Sequence, residues 1–282
     1  MNLAAEIVSN VSLALKEDIG SGDLTDQYLQ TNQETESSII SRQPASIAGQ
    51  PWCNEVIRQV DKKLTITWLV KEGGVVDANQ VIAKVHGPLV SQLKVERTLL
   101  NFLQLCSGIA TTTSMWLQAI KPYKTKILDT RKTIPSLRQL QKYAVKVGGG
   151  HNHRMGLYDA ILLKENHIMG HGDFASLVDR VVKLKSHGPV WVEVENMTQY
   201  QIVINKAVDG VLLDNWSIDQ VRHAVSIKTK GLLLEASGGI NLQNVASYAA
   251  TGVDRISIGA LTKDISSIDL TMLFLKPSIT AP

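Results

Sequence analysis

From about residue 110 onward, short apolar segments alternate with helix-like segments, and this rhythm constrains the fold of the 282-residue chain more than any other feature. Runs at Lys126–Asp129, Ala160–Leu163, Val190–Val194, Gly210–Leu213, Leu232–Ala236 and Arg255–Ile258 read as strands. Between them, the patterns near 136–147, 174–186, 198–207, 217–227 and 241–251 read as helices. Repeated βα units predict a parallel sheet. A closed or nearly closed α/β barrel is the simplest expectation, with an open doubly wound sheet as the alternative.

The first hundred residues follow another pattern. An amphipathic helix is expected over the first 20 residues, a strand over Leu64–Val70 and a helix over Ser91–Ile109. Gly73 to Gly87 has the short-strand rhythm of a small flattened barrel resembling biotinyl or lipoyl carrier domains, without their Met-flanked lysine. Two domains are therefore expected, one over 1–108 and one over 109–282, with the C-terminal tail a candidate to return to the first.

Charge and cysteine content narrow the function. Apolar residues make up 44% and charged residues 20%, enough for a packed core and unlike a disordered chain. The net charge of +3 is too small for a nucleic-acid-binding coat or a membrane-binding face. Cys53 and Cys106 lack both CxxC spacing and disulfide-scaffold density, which points to a reducing, cytoplasmic setting. No signal-like segment or ~20-residue apolar run is evident.

Ten of the basic residues fall between Lys121 and Lys164, against Asp129 and Asp159 within that stretch and Glu165 just beyond it. In an α/β barrel the strands' C-terminal ends converge on one mouth. Polar residues stand at those ends here: Asp129-Thr-Arg-Lys-Thr133, Lys164-Glu-Asn-His167, Glu195-Asn196, Asp214-Asn215, Ser237-Gly-Gly239 and Gly259-Ala260. Singly, each is an ordinary cap or turn; together they predict a site.

Arg131, Lys132, His153, Arg154 and Lys164 suit a polyanion, arginine offering a bidentate fork and lysine a point charge. Ser237, Gly238, Gly239 and Gly259 suit a phosphate, because glycine loops expose backbone N–H groups at helix starts. Glu195 and Asp214 suit Mg²⁺ or ribose hydroxyls. Glu193 shares the strand face of Glu195, so spacing alone does not choose between them. The His151/His153 and His167/His171 spacings invite zinc, but no cysteine joins them and Arg154 and Lys164 would repel a cation. No Walker A loop, dinucleotide fingerprint or GxSxG elbow occurs.

The motifs then converge on a family. Glu17-Asp-Ile-Gly-Ser-Gly-Asp-Leu-Thr25, Glu96-Arg97-Thr-Leu-Leu-Asn101, Ser107-Gly-Ile-Ala-Thr111 and Asp129-Thr-Arg-Lys-Thr-Ile-Pro135 carry the resemblance through the first half. Lys142-Tyr-Ala-Val145, Gly148-Gly-Gly-His-Asn-His-Arg154, Leu163-Lys-Glu-Asn-His-Ile168, Val192-Glu-Val-Glu-Asn196, Leu213-Asp-Asn215, Glu235-Ala-Ser-Gly-Gly239 and Gly259-Ala-Leu-Thr262 continue it. The chain resembles the quinolinate phosphoribosyltransferases, also called carboxylating nicotinate-nucleotide pyrophosphorylases, over nearly its whole length.

The resemblance implies an N-terminal α/β sandwich, an incomplete α/β barrel of the type II phosphoribosyltransferase kind, and a homodimer. It implies that Arg97 reaches the neighbouring subunit's site, that Arg131, His153 and Arg154 bind the two carboxylates of quinolinate, and that Lys132 and Lys164 lie near the phosphates of phosphoribosyl pyrophosphate. It further implies Glu195, rather than Glu193, with Asp214 for ribose hydroxyls and Mg²⁺, and Ser237, Gly238, Gly239 and Gly259 for the 5′-phosphate. Departures are Arg42-Gln-Pro where Arg-Glu is common, Ser136 where glycine often follows the proline, and Lys263 where many relatives carry histidine. Lys263 keeps a cation near pyrophosphate. A fold-related pyrophosphorylase-like paralogue with another substrate is the alternative.

Overall fold

A computed structural model describes residues 2–29, 33–183, 185 and 188–274. These form two compact units: the described residues within 2–112, 134–148 and 264–274 compose one, and those within 113–133 and 149–263 the other.

The first unit contains helices α1 (Leu3–Ile19), α2 (Gln50–Val60), most of α3 (Leu89–Ala119) and α4 (Arg138–Val147). Its strands are β1 (Glu34–Ser41), β2 (Ala45–Ser46), β3 (Thr65–Trp68), β4 (Val75–Val76), β5 (Gln80–Pro88) and β12 (Leu270–Phe274). Local chemistry sets several of their ends. Asn2 caps α1 by accepting the Ala4 N–H, and Gly20 ends the helix at φ +55. The start of α2 is capped from a distance, the Glu72 carboxylate accepting the Gly49 and Gln50 N–H groups at 2.7 and 3.1 Å. Cys53 and Cys106 are both free and buried.

The main sheet runs β12-β1-β5-β3, antiparallel throughout. That corrects the carrier-like reading of Gly73–Gly87: β5 is an inner strand of this sheet, and β4 pairs separately with β2. The short-strand rhythm reports where the turns are, and long-range pairing decides which sheet a strand joins. Ser136 takes φ +65, the left-handed region that favours glycine. Ser136→Gly is expected to stabilise the protein by about 0.5–1 kcal/mol, read by thermal or denaturant unfolding.

The second unit carries β6 (Lys126–Leu128), β7 (Ile161–Leu163), β8 (Val190–Val194), β9 (Gly210–Asp214), β10 (Leu233–Ser237) and β11 (Arg255–Ser257). All pairs are parallel, in the order β6-β11-β10-β9-β8-β7. The strands that follow β6 lie side by side in chain order, and β6 pairs with the last of them. That circular order belongs to a barrel open between β6 and β7 and has no reversal point of a doubly wound sheet. Helices α5 (Glu165–His171), α6 (Phe174–Val182), α7 (Met197–Val203), α8 (Ile218–Ile227), α9 (Val245–Ala249) and α10 (Ala260–Lys263) follow successive strands. Asp173 and Asn196 cap α6 and α7, and Ser217 with Gln220 forms a capping box on α8. Helices α5 and α10 escape the sequence reading.

Alternation along the strands stacks the interior in rows. Trp191, Gly210 and Leu233 share one row, while Glu193, Leu212, Glu235 and Arg255 share the next. A Cβ on Gly210 would overlap the Trp191 ring, so glycine is what lets the indole lie across the barrel floor. Asp214 and Ser237 pair in the row above.

Candidate active site

The upper rows open into a cavity of about 410 Å³ at the C-terminal ends of the strands. Two local devices bring its basic wall together. His151 runs beside β6, donating to the Ile127 carbonyl at 2.9 Å while its own carbonyl accepts the Asp129 N–H. Buried Asp129 then accepts the His153 N–H at 2.9 Å, which sets His153 and Arg154 alongside Arg131 and Lys132. The three glycines before His151 serve this path. Gly149 has φ +92, and a Cβ there would come within 2.9 Å of Leu117 Cδ1.

Carboxylates line the same cavity. Glu195 follows β8 and Asp214 ends the neighbouring β9, and Lys164 donates through Nζ to Glu193 Oε2 at 2.8 Å. The cavity is thus lined by Arg131, Lys132, His153, Arg154, Lys164, Glu195, Asp214 and Ser237 from among the expected residues. Gly238, Gly239 and Gly259 are not in its lining. Gly238 and Gly239 adopt φ +86 and +62, and Gly238 packs so closely on Asn215 that a Cβ would collide with it. A Cβ on Gly259 would come within 3.2 Å of the Lys132 stem. Lys263 is exposed on α10, and Arg97 is exposed on α3 in the first unit; neither lines the cavity.

Sequence reasoning missed Glu165 and Glu235, which also line the cavity, and left Glu193 undecided. Glu235 lies two residues before Ser237 on one strand, so the alternation that placed Ser237 at the mouth also directs Glu235 inward.

Burial makes these charges interdependent. Burial, reinforced by Glu165, holds the Asp214 carboxyl above its ordinary value against the pull of Lys164 and Lys132. Burial likewise raises Glu193, with Asp214 and Glu165 adding to it and Lys164 opposing. Burial and the neighbouring Arg131 guanidinium lower Arg154.

Because the folded state binds the Asp214 proton more tightly than the unfolded chain, this group costs stability once ionised, and the cost fades as pH falls toward ordinary carboxylate values. Asp214→Asn should therefore raise the thermal midpoint at pH 7 by about 1–3 °C, the difference vanishing near pH 4 or below, as read by calorimetry across pH.

Comparison with known proteins decides the family. Residues 23–107 match the family model of the quinolinate phosphoribosyl transferase N-terminal domain, and residues 109–273 that of its C-terminal domain. The chain belongs to the quinolinate phosphoribosyl transferase family. Among its relatives, the probable nicotinate-nucleotide pyrophosphorylase (carboxylating) of Bacillus subtilis is 38% identical over 91% of this chain and 89% of its own. The carboxylating nicotinate-nucleotide pyrophosphorylase of Mycobacterium leprae is also 38% identical, over 91% and 93% of the two chains. The solved nicotinate-nucleotide pyrophosphorylase from Francisella tularensis superposes with a TM-score of 0.93 at 44% identity, covering 96% of this chain and 97% of that one. The antiparallel sheet unit and parallel-strand unit described above are thus the architecture of quinolinate phosphoribosyl transferases.

Proposed function

We infer that the protein transfers the phosphoribosyl group of phosphoribosyl pyrophosphate to quinolinate with decarboxylation, giving nicotinate mononucleotide, CO₂ and pyrophosphate. The observation that carries this reading is that one cavity gathers a basic set, Arg131, Lys132, His153, Arg154 and Lys164, together with the carboxylates Glu195 and Asp214. Burial and then the neighbouring Arg131 disfavour the charge of Arg154, which a bound dianion offsets. Quinolinate carries two adjacent carboxylates, and the ribosyl group develops positive charge as its bond to pyrophosphate breaks.

Arg131, His153 and Arg154 hold the dicarboxylate so that the ring nitrogen faces C1 of the sugar. The nitrogen lone pair forms the new bond to C1 as the C1–O bond breaks and its electron pair leaves with pyrophosphate. Lys132 and Lys164 offset the charge gathering on the phosphate oxygens, and Glu195 and Asp214 hold the ribose hydroxyls and steady the oxocarbenium-like sugar. The pyridinium then accepts the electrons of the bond to the 2-carboxylate, CO₂ departs, and a proton takes its place. Ser237, Gly238, Gly239 and Gly259 offer the 5′-phosphate a hydroxyl and backbone donors, with Lys263 a further cation for pyrophosphate.

Mg²⁺ fits this chemistry as an ion shared with the substrate. Asp214 and Glu193 are carboxylates that burial penalises when ionised, and a cation offsets such a penalty. Among the described residues no group of three or more His, Cys, Asp or Glu side chains encloses a metal, so Glu195 and Asp214 would supply part of the coordination and phosphate oxygens the rest. When bound, the ion supplies charge that stabilises the leaving pyrophosphate.

A homodimer is the matching assembly. Arg97, exposed on its helix and absent from the cavity lining, is the group one subunit would lend to the other's site. A monomer by sedimentation at assay concentrations would remove that part of the reading.

The experiment is a reaction with Mg²⁺ and phosphoribosyl pyrophosphate, offering quinolinate and nicotinate in parallel and separating products by chromatography. Nucleotide from quinolinate alone supports the reading. Binding of phosphoribosyl pyrophosphate without product would indicate a sensor, and product from another acceptor a paralogue.

A further inference from the structure

Glu235 is the one cavity carboxylate that is fully buried, and neither of its oxygens has a hydrogen-bond partner among the described residues. A carboxylate in that position needs a donor or a compensating charge. His153 is placed to supply it: its Nε2 stands 3.3 Å from Glu235 Oε1, close but short of the alignment of a full hydrogen bond. The other ring nitrogen is already engaged, since Nδ1 accepts the Arg154 backbone N–H at 2.8 Å. Nδ1 therefore carries no proton, and the ring's N–H is on Nε2, on the side of Glu235.

The rest of the surroundings keep that ring in place. Trp191 packs against it with centroids 5.9 Å apart, and the Arg255 guanidinium lies 4.8 Å from the Trp191 ring centre. Arg154 is tied at both ends, by its N–H to His153 and by Nη1 donating to the Ala160 carbonyl at 3.1 Å.

We propose that Glu235 is a positioning residue for dicarboxylate recognition, keeping the His153 proton on Nε2 so that Nδ1 remains the acceptor that anchors Arg154. Resting on the function inferred above, this gives His153 its share in binding through the placement of Arg154, and the cause lies one row below the substrate. The chain of support runs from Glu235 to the imidazole, from the imidazole to the Arg154 amide, and from there to the guanidinium.

The test begins with the ligand-free protein, ¹⁵N-labelled at histidine, in long-range ¹H–¹⁵N spectra at neutral pH, with the His153 signals assigned by their loss in His153→Gln. The expected spectrum has an unprotonated Nδ1 and a protonated Nε2. A proton on Nδ1, or on both nitrogens, overturns the proposal whatever the enzyme turns over. In kinetics, Glu235→Leu should raise the KM for quinolinate about 10-fold and leave that for phosphoribosyl pyrophosphate within about twofold. Glu235→Gln, whose amide oxygen presents an acceptor to Nε2–H from the same position, should return the quinolinate KM to within about threefold of the parent. Equal impairment of the two variants, or a parallel rise in both KM values, contradicts the proposal. If the leucine variant fails to fold, the parent spectrum and the glutamine kinetics still decide. Absence of quinolinate turnover by the parent enzyme counts against the inferred function and leaves the spectral result standing.

Discussion

Replacing Arg131 with alanine is expected to raise the KM for quinolinate about 100-fold, equivalent to about 2.7 kcal/mol, while the KM for phosphoribosyl pyrophosphate changes little. The reason is geometric as well as electrostatic. Arg131 and Arg154 line the same cavity, and Arg131 adds to the burial that disfavours the Arg154 charge in the empty site. Removing Arg131 relieves Arg154 in the empty site and leaves one substrate carboxylate with no fork to meet it, so free enzyme gains and complex loses. Arg131→Lys should recover only part of the loss, because an ammonium cannot reproduce the paired hydrogen bonds. Steady-state kinetics with each substrate varied in turn reads this directly; unchanged kcat/KM for quinolinate would remove Arg131 from the assignment.

If Lys164 offsets the charge of the departing pyrophosphate, as proposed, Lys164→Ala should be more damaging to kcat, by about 100- to 1,000-fold. A second consequence separates this from simple disruption. Lys164 donates to Glu193, whose carboxyl burial already penalises, so the variant also loses stability by leaving that carboxylate alone. Adding Glu193→Gln removes the stranded charge and should restore the melting temperature without restoring turnover. Recovery of both together would mean that Lys164 serves the fold and has no part in the chemistry.

The same pair shows where sequence was legible and where it was not. All six barrel strands lie where the apolar runs place them, because each is a local pattern and the core selects for it. Strand-end residues were equally visible: Arg131, Lys132, Lys164, Glu195, Asp214 and Ser237 share one cavity as the barrel geometry implies. Charge balance was not legible. The chain shows a basic stretch, yet Glu165, Glu193 and Glu235 add three further carboxylates to the cavity. Their role depends on inward orientation and burial, and only Glu193 drew notice from its spacing. Pairings distant in sequence were harder to read. The C-terminal tail was a candidate to return to the first domain, yet nothing in β1 or β12 names the other as its partner, with Leu270 opposite Ser41. For the same reason the turns around Gly73–Gly87 suggested a separate small barrel, when β5 is an inner strand of the main sheet.

Positionally labelled quinolinate reads most directly which bonds the cavity breaks. With ¹⁴C in the 2-carboxylate, label is expected to be released as CO₂ in equal amount to pyrophosphate, strictly dependent on phosphoribosyl pyrophosphate. With ¹⁴C in the 3-carboxylate, the label should remain in the nucleotide. Pyrophosphate release without CO₂, or retention of the 2-carboxylate label in the product, would contradict it.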